Sequence, residues 1–143
     1  LVYEDGAYHI DFADLEAKLA DPQTSMMILC NPQNPAGIIW DRATLARIGE
    51  LCTKHGVLVV SDEIHCDFVY SGHHFTSFMT LDEKYQDNLV LYTSPSKTFN
   101  VAGFQPANTM APKYKPKNND TIIFFVFNAR TIAKIGGTID SIP

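Results

Sequence analysis

Cysteine is scarce: Cys30, Cys52 and Cys66 are the only three in 143 residues. An odd number without CxxC spacing excludes a disulfide framework and predicts reduced thiols in a cytoplasmic setting. No apolar run reaches the ~18 residues of a membrane helix, and the N-terminus has no charged-then-apolar leader pattern. Positive charge is also short. Eleven Lys and Arg against sixteen Asp and Glu leave a net charge of −5, which argues against nucleic acid or an anionic membrane as partner. The one basic cluster, Lys113, Lys115 and Lys117, reads as a solvated loop. No internal repeat is present. The first residue is Leu1 and a strand signal follows almost at once, so the chain reads as a piece of something longer.

What is present is enough apolar residue, 45% of the chain, to bury a core about one domain in size. Leu1 to Ile10 has β character interrupted by a turn at Glu4-Asp5-Gly6. Asp11 caps a helix with Phe12, Leu15 and Leu19 at helical spacing, and Asp21-Pro22 ends it. Met26 to Cys30 is a short strand, stopped by Asn31-Pro32-Gln33-Asn34-Pro35-Ala36-Gly37. Asp41 caps a second helix, whose apolar face is Leu45, Ile48, Leu51 and Cys52, and Gly56 closes it in a left-handed cap. Val57 to Val60 is a continuous β-branched strand of the kind covered on both faces. Residues 66–88 read as loop, a short helical turn and a crossover. Leu89 to Tyr92 is the next strand, and Gln105 to Met110 a further one. Lys-Pro and Asn-Asn pairs make a linker from Ala111, and Ile122 to Phe127 is apolar and β-prone.

Strand, helix, strand, crossover, strand implies a mostly parallel sheet with right-handed connections, an α/β fold. The carboxyl ends of parallel strands share one rim, where ligands bind. Asn34 lies beyond the first of these strands, Asp62 at the end of the second, and Ser94 and Lys97 beyond the third. A lysine amine forms a Schiff base with an aldehyde. A carboxylate on a pyridine nitrogen keeps that nitrogen protonated and makes the ring an electron sink. An asparagine amide can donate to a phenolic oxygen, and a serine can bind phosphate. Together they describe a site for pyridoxal 5'-phosphate.

Three motifs in register, Asn31-Pro32-Gln33-Asn34-Pro35-Ala36-Gly37, Ser61-Asp62-Glu63-Ile64-His65 and Ser94-Pro95-Ser96-Lys97-Thr98-Phe99-Asn100, resemble the fold-type I pyridoxal-phosphate enzymes of the class I/II aminotransferase superfamily. The resemblance covers Leu1 to about Met110. It implies a three-layer sandwich, here a partial large domain over residues 1–110, with linker and tail over 111–143. It makes Lys97 the Schiff-base lysine and proton shuttle and Asp62 the partner of the pyridine nitrogen. It places Asn34 on the phenolic oxygen and Ser94 on the phosphate. Histidine at position 65, followed by Cys66-Asp67-Phe68-Val69-Tyr70, resembles the cystathionine β-lyase subgroup, and His65 would then sit near the phenolic oxygen. The implied reaction is β-elimination from a cystathionine-like amino acid to pyruvate, ammonia and a thiol, with transamination as the alternative. A homodimer at full length is also implied.

Gln105 stands near the place where many relatives carry a phosphate-binding arginine, and Arg130 does not match the family's substrate-carboxylate arginine. No stretch matches the family's phosphate loop or stacking aromatic. This chain is therefore expected to be inactive alone. Glu63 and Asp67 read as ordinary polar positions, Cys30 and Cys52 as core, and Tyr70 as a core aromatic. One rival from another class is a metal site built from His65, Cys66, Asp67, His73 and His74, whose spacing fits no standard closed site. The other rival is a non-catalytic interaction module.

Overall fold

A computed structural model describes residues 1–111, 122–125 and 132–135. Strands β1 (Val2–Glu4) and β2 (Ala7–His9) form an antiparallel hairpin, turned at Asp5 and Gly6 with φ of 50° and 79°. Helix α1 (Phe12–Leu19) starts where the Asp11 carboxylate accepts the Ala13 and Asp14 amides, both at 3.0 Å. Two of the orphan donors of the first turn are satisfied in this way. Helix α2 (Arg42–His55) is capped by Asp41, which accepts Thr44 N–H at 2.6 Å, and ends at Gly56 in the left-handed region, φ 67°.

Four strands make the main sheet in the order β3 (Met26–Cys30), β4 (Leu58–Asp62), β5 (Leu89–Thr93), β6 (Asn108–Met110). The first three are parallel, and β6 runs antiparallel to β5. The register pairs Cys30 with Asp62 and Asp62 with Tyr92, so three strands end level on one edge. β6 is shorter than the sequence suggests. Gln105 sits in the left-handed region at φ 51°, and Pro106 has no N–H to give to a ladder.

Side chains alternate across the sheet. Leu29, Val59, Leu89 and Leu91 face α2, where they share a core with Leu45, Ile48, Cys52 and Trp40. Each such buried aliphatic contributes about 1.5–3 kcal/mol. Trp40 also ties α2's entry to the sheet by donating Nε1–H to the Cys30 carbonyl at 3.1 Å. Sheet and helices are two of the three layers expected. Among the described residues the other face is open along β3, with Ile28 65% and Met26 51% exposed, whereas Val90 on β5 is 1% exposed. Leu58 and Val60 on β4 are accordingly only half-buried, which departs from the expectation of a strand covered on both faces.

The crossover from β4 to β5 carries two short 3₁₀ turns, Phe78–Thr80 and Glu83–Asn88. Phe78 and Tyr85 plug it into the core. Strands β7 (Ile122–Phe125) and β8 (Ile132–Ile135) form an antiparallel pair. Lys113, Lys115, Lys117 and Arg130, and the end of the apolar run at Val126-Phe127, lie outside the described residues.

Candidate functional site

The rim is fixed by backbone bonds that run one residue past the strands. Asn31 N–H donates to the Asp62 carbonyl and Glu63 N–H to the Tyr92 carbonyl, both at 2.9 Å. Between these bonds the Asp62 side chain falls on the open face. Its Oδ1 accepts Ile64 N–H at 3.2 Å, which turns the carboxylate along the rim and leaves acceptor capacity free.

Asp62, Ser94 and Lys97 line one cavity of about 710 Å³. Its floor is the open sheet face, Ile28, Val60 and Tyr92, and Gln105 and Pro106 close one side. That volume lies within the range of small-molecule sites. Lys97 is exposed, and among the described residues no carboxylate lies within ion-pair distance of it.

The lysine loop is a compact turn. Phe99 N–H donates to the Pro95 carbonyl and Val101 N–H to the Ser96 carbonyl, both at 3.0 Å, and Asn100 takes φ 54°. Ser94 Oγ accepts Ser96 N–H at 3.0 Å and lies 2.5 Å from the Pro106 carbonyl, which can only accept. The Ser94 proton is thus used inside the protein, and a phosphate takes it only if this bond exchanges. On the other side Thr98 donates its hydroxyl to Asp67 Oδ2 at 2.7 Å, tying the lysine loop to the segment after β4.

Asn34 and His65 are brought together elsewhere. They line a second cavity of about 290 Å³ with Phe68 and Tyr70. Tyr70 is 84% exposed, not the core aromatic that the sequence suggests, because it sits at the mouth of this open cavity rather than against the core. The Asn31–Pro32 and Asn34–Pro35 bonds are both cis. Gln33 closes the loop through its backbone pair with Ile38 and by accepting Ala36 N–H at 3.0 Å on its side chain.

Two positions read as ordinary polar residues are neither idle nor alike. Asp67 makes the bond to Thr98. Glu63 is 1% exposed and accepts Phe78 N–H at 2.8 Å and Ser61 Oγ–H at 3.0 Å. Strand alternation, which sends Asp62 to the open face, would have sent Glu63 inward. Its distant partner near Phe78 left no local signal.

The rim cysteines favour the thiol over the thiolate. Burial, and then the Asp62 charge, pushes the Cys30 thiol up; burial, then Asp67 and Glu63, does the same to Cys66. Among the described residues no group of three or more His, Cys, Asp or Glu could hold a metal ion. The larger cavity offers one amine, one carboxylate, hydroxyls and an apolar floor. That donor set fits a flat, phosphorylated aromatic aldehyde better than a metal.

The aminotransferase class I and II family model matches residues 2–115. Cystathionine beta-lyase PatB of Bacillus subtilis is 52% identical over 112 residues, 78% of this chain and 29% of that protein. Protein MalY of Escherichia coli is 41% identical over 91 residues, 64% and 23% of the two chains. The crystal structure of cystalysin from Treponema denticola, which contains a pyridoxal 5'-phosphate cofactor, superposes with a TM-score of 0.75 at 36% identity. The match covers 78% of this chain and 28% of that one. The chain thus spans about three-tenths of the length of relatives such as PatB.

Proposed function

Because the chain belongs to the aminotransferase class I and II family, we propose that its rim binds pyridoxal 5'-phosphate and serves carbon–sulfur β-elimination. The observation that carries this reading is the larger cavity, where Lys97, Asp62 and Ser94 meet over an apolar floor. The family uses this cofactor, and the names of PatB and cystalysin support the lyase branch. When bound, the cofactor supplies an aldehyde for the amine and a protonated ring that withdraws electrons.

The protein's own groups have separate tasks. Lys97 Nζ would hold the cofactor and serve as the base for the α-proton. The Asp62 carboxylate would keep the ring nitrogen protonated. Ser94, if released from Pro106, would donate to the phosphate. Asn34 and His65, which line the neighbouring cavity, would be the groups to meet the phenolic oxygen. The net reaction consumes water and a β-thioether amino acid and yields pyruvate, ammonia and a thiol.

Residues 1–110 are assigned to the cofactor-binding domain and 111–143 to a linker and tail; the family match spans residues 2–115. A cytoplasmic homodimer acting on a small amino acid is the setting we assign. Among the described residues no helix is long and apolar enough to cross a membrane. Transamination is the second reading, favoured by the family itself. The 143 residues alone are expected to be inactive, so the test supplies cystathionine and pyridoxal phosphate to a version that spans the relatives' full length, then measures pyruvate and free thiol. Production of both that is lost in Lys97→Ala supports elimination. Amino transfer to a 2-oxo acid without thiol release would replace it with transamination.

A further inference from the structure

Glu63 is a carboxylate in the core, and nothing in the reaction above uses it. Burying a carboxylate is costly unless donors surround it. Donors are what it has. Ser61 Oγ–H lies at 3.0 Å and Phe78 N–H at 2.8 Å, and the Ser77 and Asn31 side chains also favour its charged form. Burial raises its carboxyl above the ordinary range, and these four donors offset part of that.

These donors come from three separate segments that frame the rim. Ser61 is in β4 itself. Ser77 and Phe78 open the crossover to β5. Asn31 is fully buried, begins the Asn-Pro loop, and donates Nδ2–H to the Thr76 carbonyl at 2.8 Å. The backbone of Asp62-Glu63 is meanwhile pinned on both sides, to Asn31 and to Tyr92. Consecutive residues of a strand point to opposite faces, so the inward side chain of Glu63 sets the roll of the segment whose outward side chain is Asp62.

We infer that Glu63 is a positioning residue: its buried carboxylate gathers Ser61, Ser77-Phe78 and Asn31 behind the rim and so fixes the direction in which Asp62 presents its own carboxylate to the cavity. This rests on the reading of that cavity as the pyridoxal-phosphate site. Glu63→Gln keeps the volume but turns an amide toward donors. Asp62→Asn removes the charge that Glu63 is held to aim.

The experiment has two arms. The first is hydrogen exchange of residues 76–80 in the cofactor-free protein. Glu63→Gln is expected to speed it about tenfold, the loss of one charge-assisted bond. The second is pyridoxal-phosphate affinity by absorbance titration in wild type, Glu63→Gln, Asp62→Asn and the double variant. Glu63→Gln is expected to weaken binding about tenfold alone but less than about twofold on top of Asp62→Asn, because coupled sites are not additive. Unchanged exchange overturns the clamp. Equal losses of affinity in both backgrounds make Glu63 structural only and overturn the positioning role. A wild type that binds no pyridoxal phosphate overturns the cavity reading and the positioning role together, while the exchange arm still judges the clamp. Should Glu63→Gln fail to fold, Ser61→Ala removes one donor only. It should move both readouts about threefold in the same pattern, and no movement in either overturns the inference.

Discussion

A single methyl group placed at Gly49 tests how α2 seats the crossover that leads to β5 and the lysine loop. Gly49 is buried on α2, and a Cβ there would lie 2.9 Å from Cγ of Tyr85 and 3.0 and 3.1 Å from its two Cδ atoms. Comfortable carbon contacts are about 3.5–4.0 Å. Cγ is one bond from the Tyr85 Cβ, so no distal rotation relieves the clash. The Glu83–Asn88 turn itself must move, and Leu89 of β5 follows it directly. Alanine gains about 0.8–1.0 kcal/mol over glycine in a helix interior, whereas overpacking of a tight core costs about 1–3 kcal/mol. Gly49→Ala is therefore expected to destabilise by about 1 kcal/mol net, a fall of about 4 °C in Tm for a domain of this size. Thermal unfolding followed by circular dichroism reads this directly. In a Tyr85→Ala background the clash is gone, and the same substitution should reverse sign and stabilise by about 1 kcal/mol. A Gly49→Ala protein more stable than wild type with Tyr85 intact would refute the packing argument.

In a version that spans the relatives' full length, Asp62→Ala should keep some pyridoxal phosphate but lower kcat about 100-fold, the scale of losing one preorganised electrostatic partner; unchanged kcat would make that carboxylate structural. Thr98→Val and Asp67→Ala, combined in a double-mutant cycle on cofactor affinity, should couple by about 1 kcal/mol, and strict additivity would mean that the bond does not hold the lysine loop. Glu16 is paired with Lys54 and His55, and the Lys54 bond lowers its carboxyl below the ordinary 4.5. A lowered acid stabilises the fold above its unfolded value and loses that contribution as pH falls through the folded one. The Tm difference between wild type and Glu16→Gln should hence shrink as pH falls below 4.5. A difference that grows over that acid range would contradict the pairing.

Much of the fold was legible because its signals are local. Asp11, Asp41 and Gly56 mark helix ends by capping chemistry that needs no tertiary partner, and each sits where the structure caps or closes a helix. Strand polarity alone brought Asp62, Ser94 and Lys97 to one rim, and the structure places them around one cavity. What was missed depends on contacts far apart in sequence. Glu63 bonds Phe78 fifteen residues away, and Thr98 bonds Asp67 across thirty-one. Neither pair has a spacing that periodicity can register. The division of Asn34 and His65 into a neighbouring cavity was equally hidden, because strand direction assigns an edge but not a position along it. Ser94 could be read as a phosphate ligand, yet its bond to Pro106 appears only once the chain has folded back on itself.

The central claim is that Lys97 is the lysine that carries the cofactor. The direct test is to incubate the protein with pyridoxal phosphate, reduce with borohydride, digest and locate the modified lysine by mass spectrometry. Reduction converts the carbon–nitrogen double bond into a stable secondary amine, so the label marks the amine that reacted. The account predicts one modified peptide containing Lys97, with the modification absent from Lys97→Ala. Modification spread over surface lysines such as Lys18, Lys54 and Lys84, with Lys97 unmarked, would contradict it.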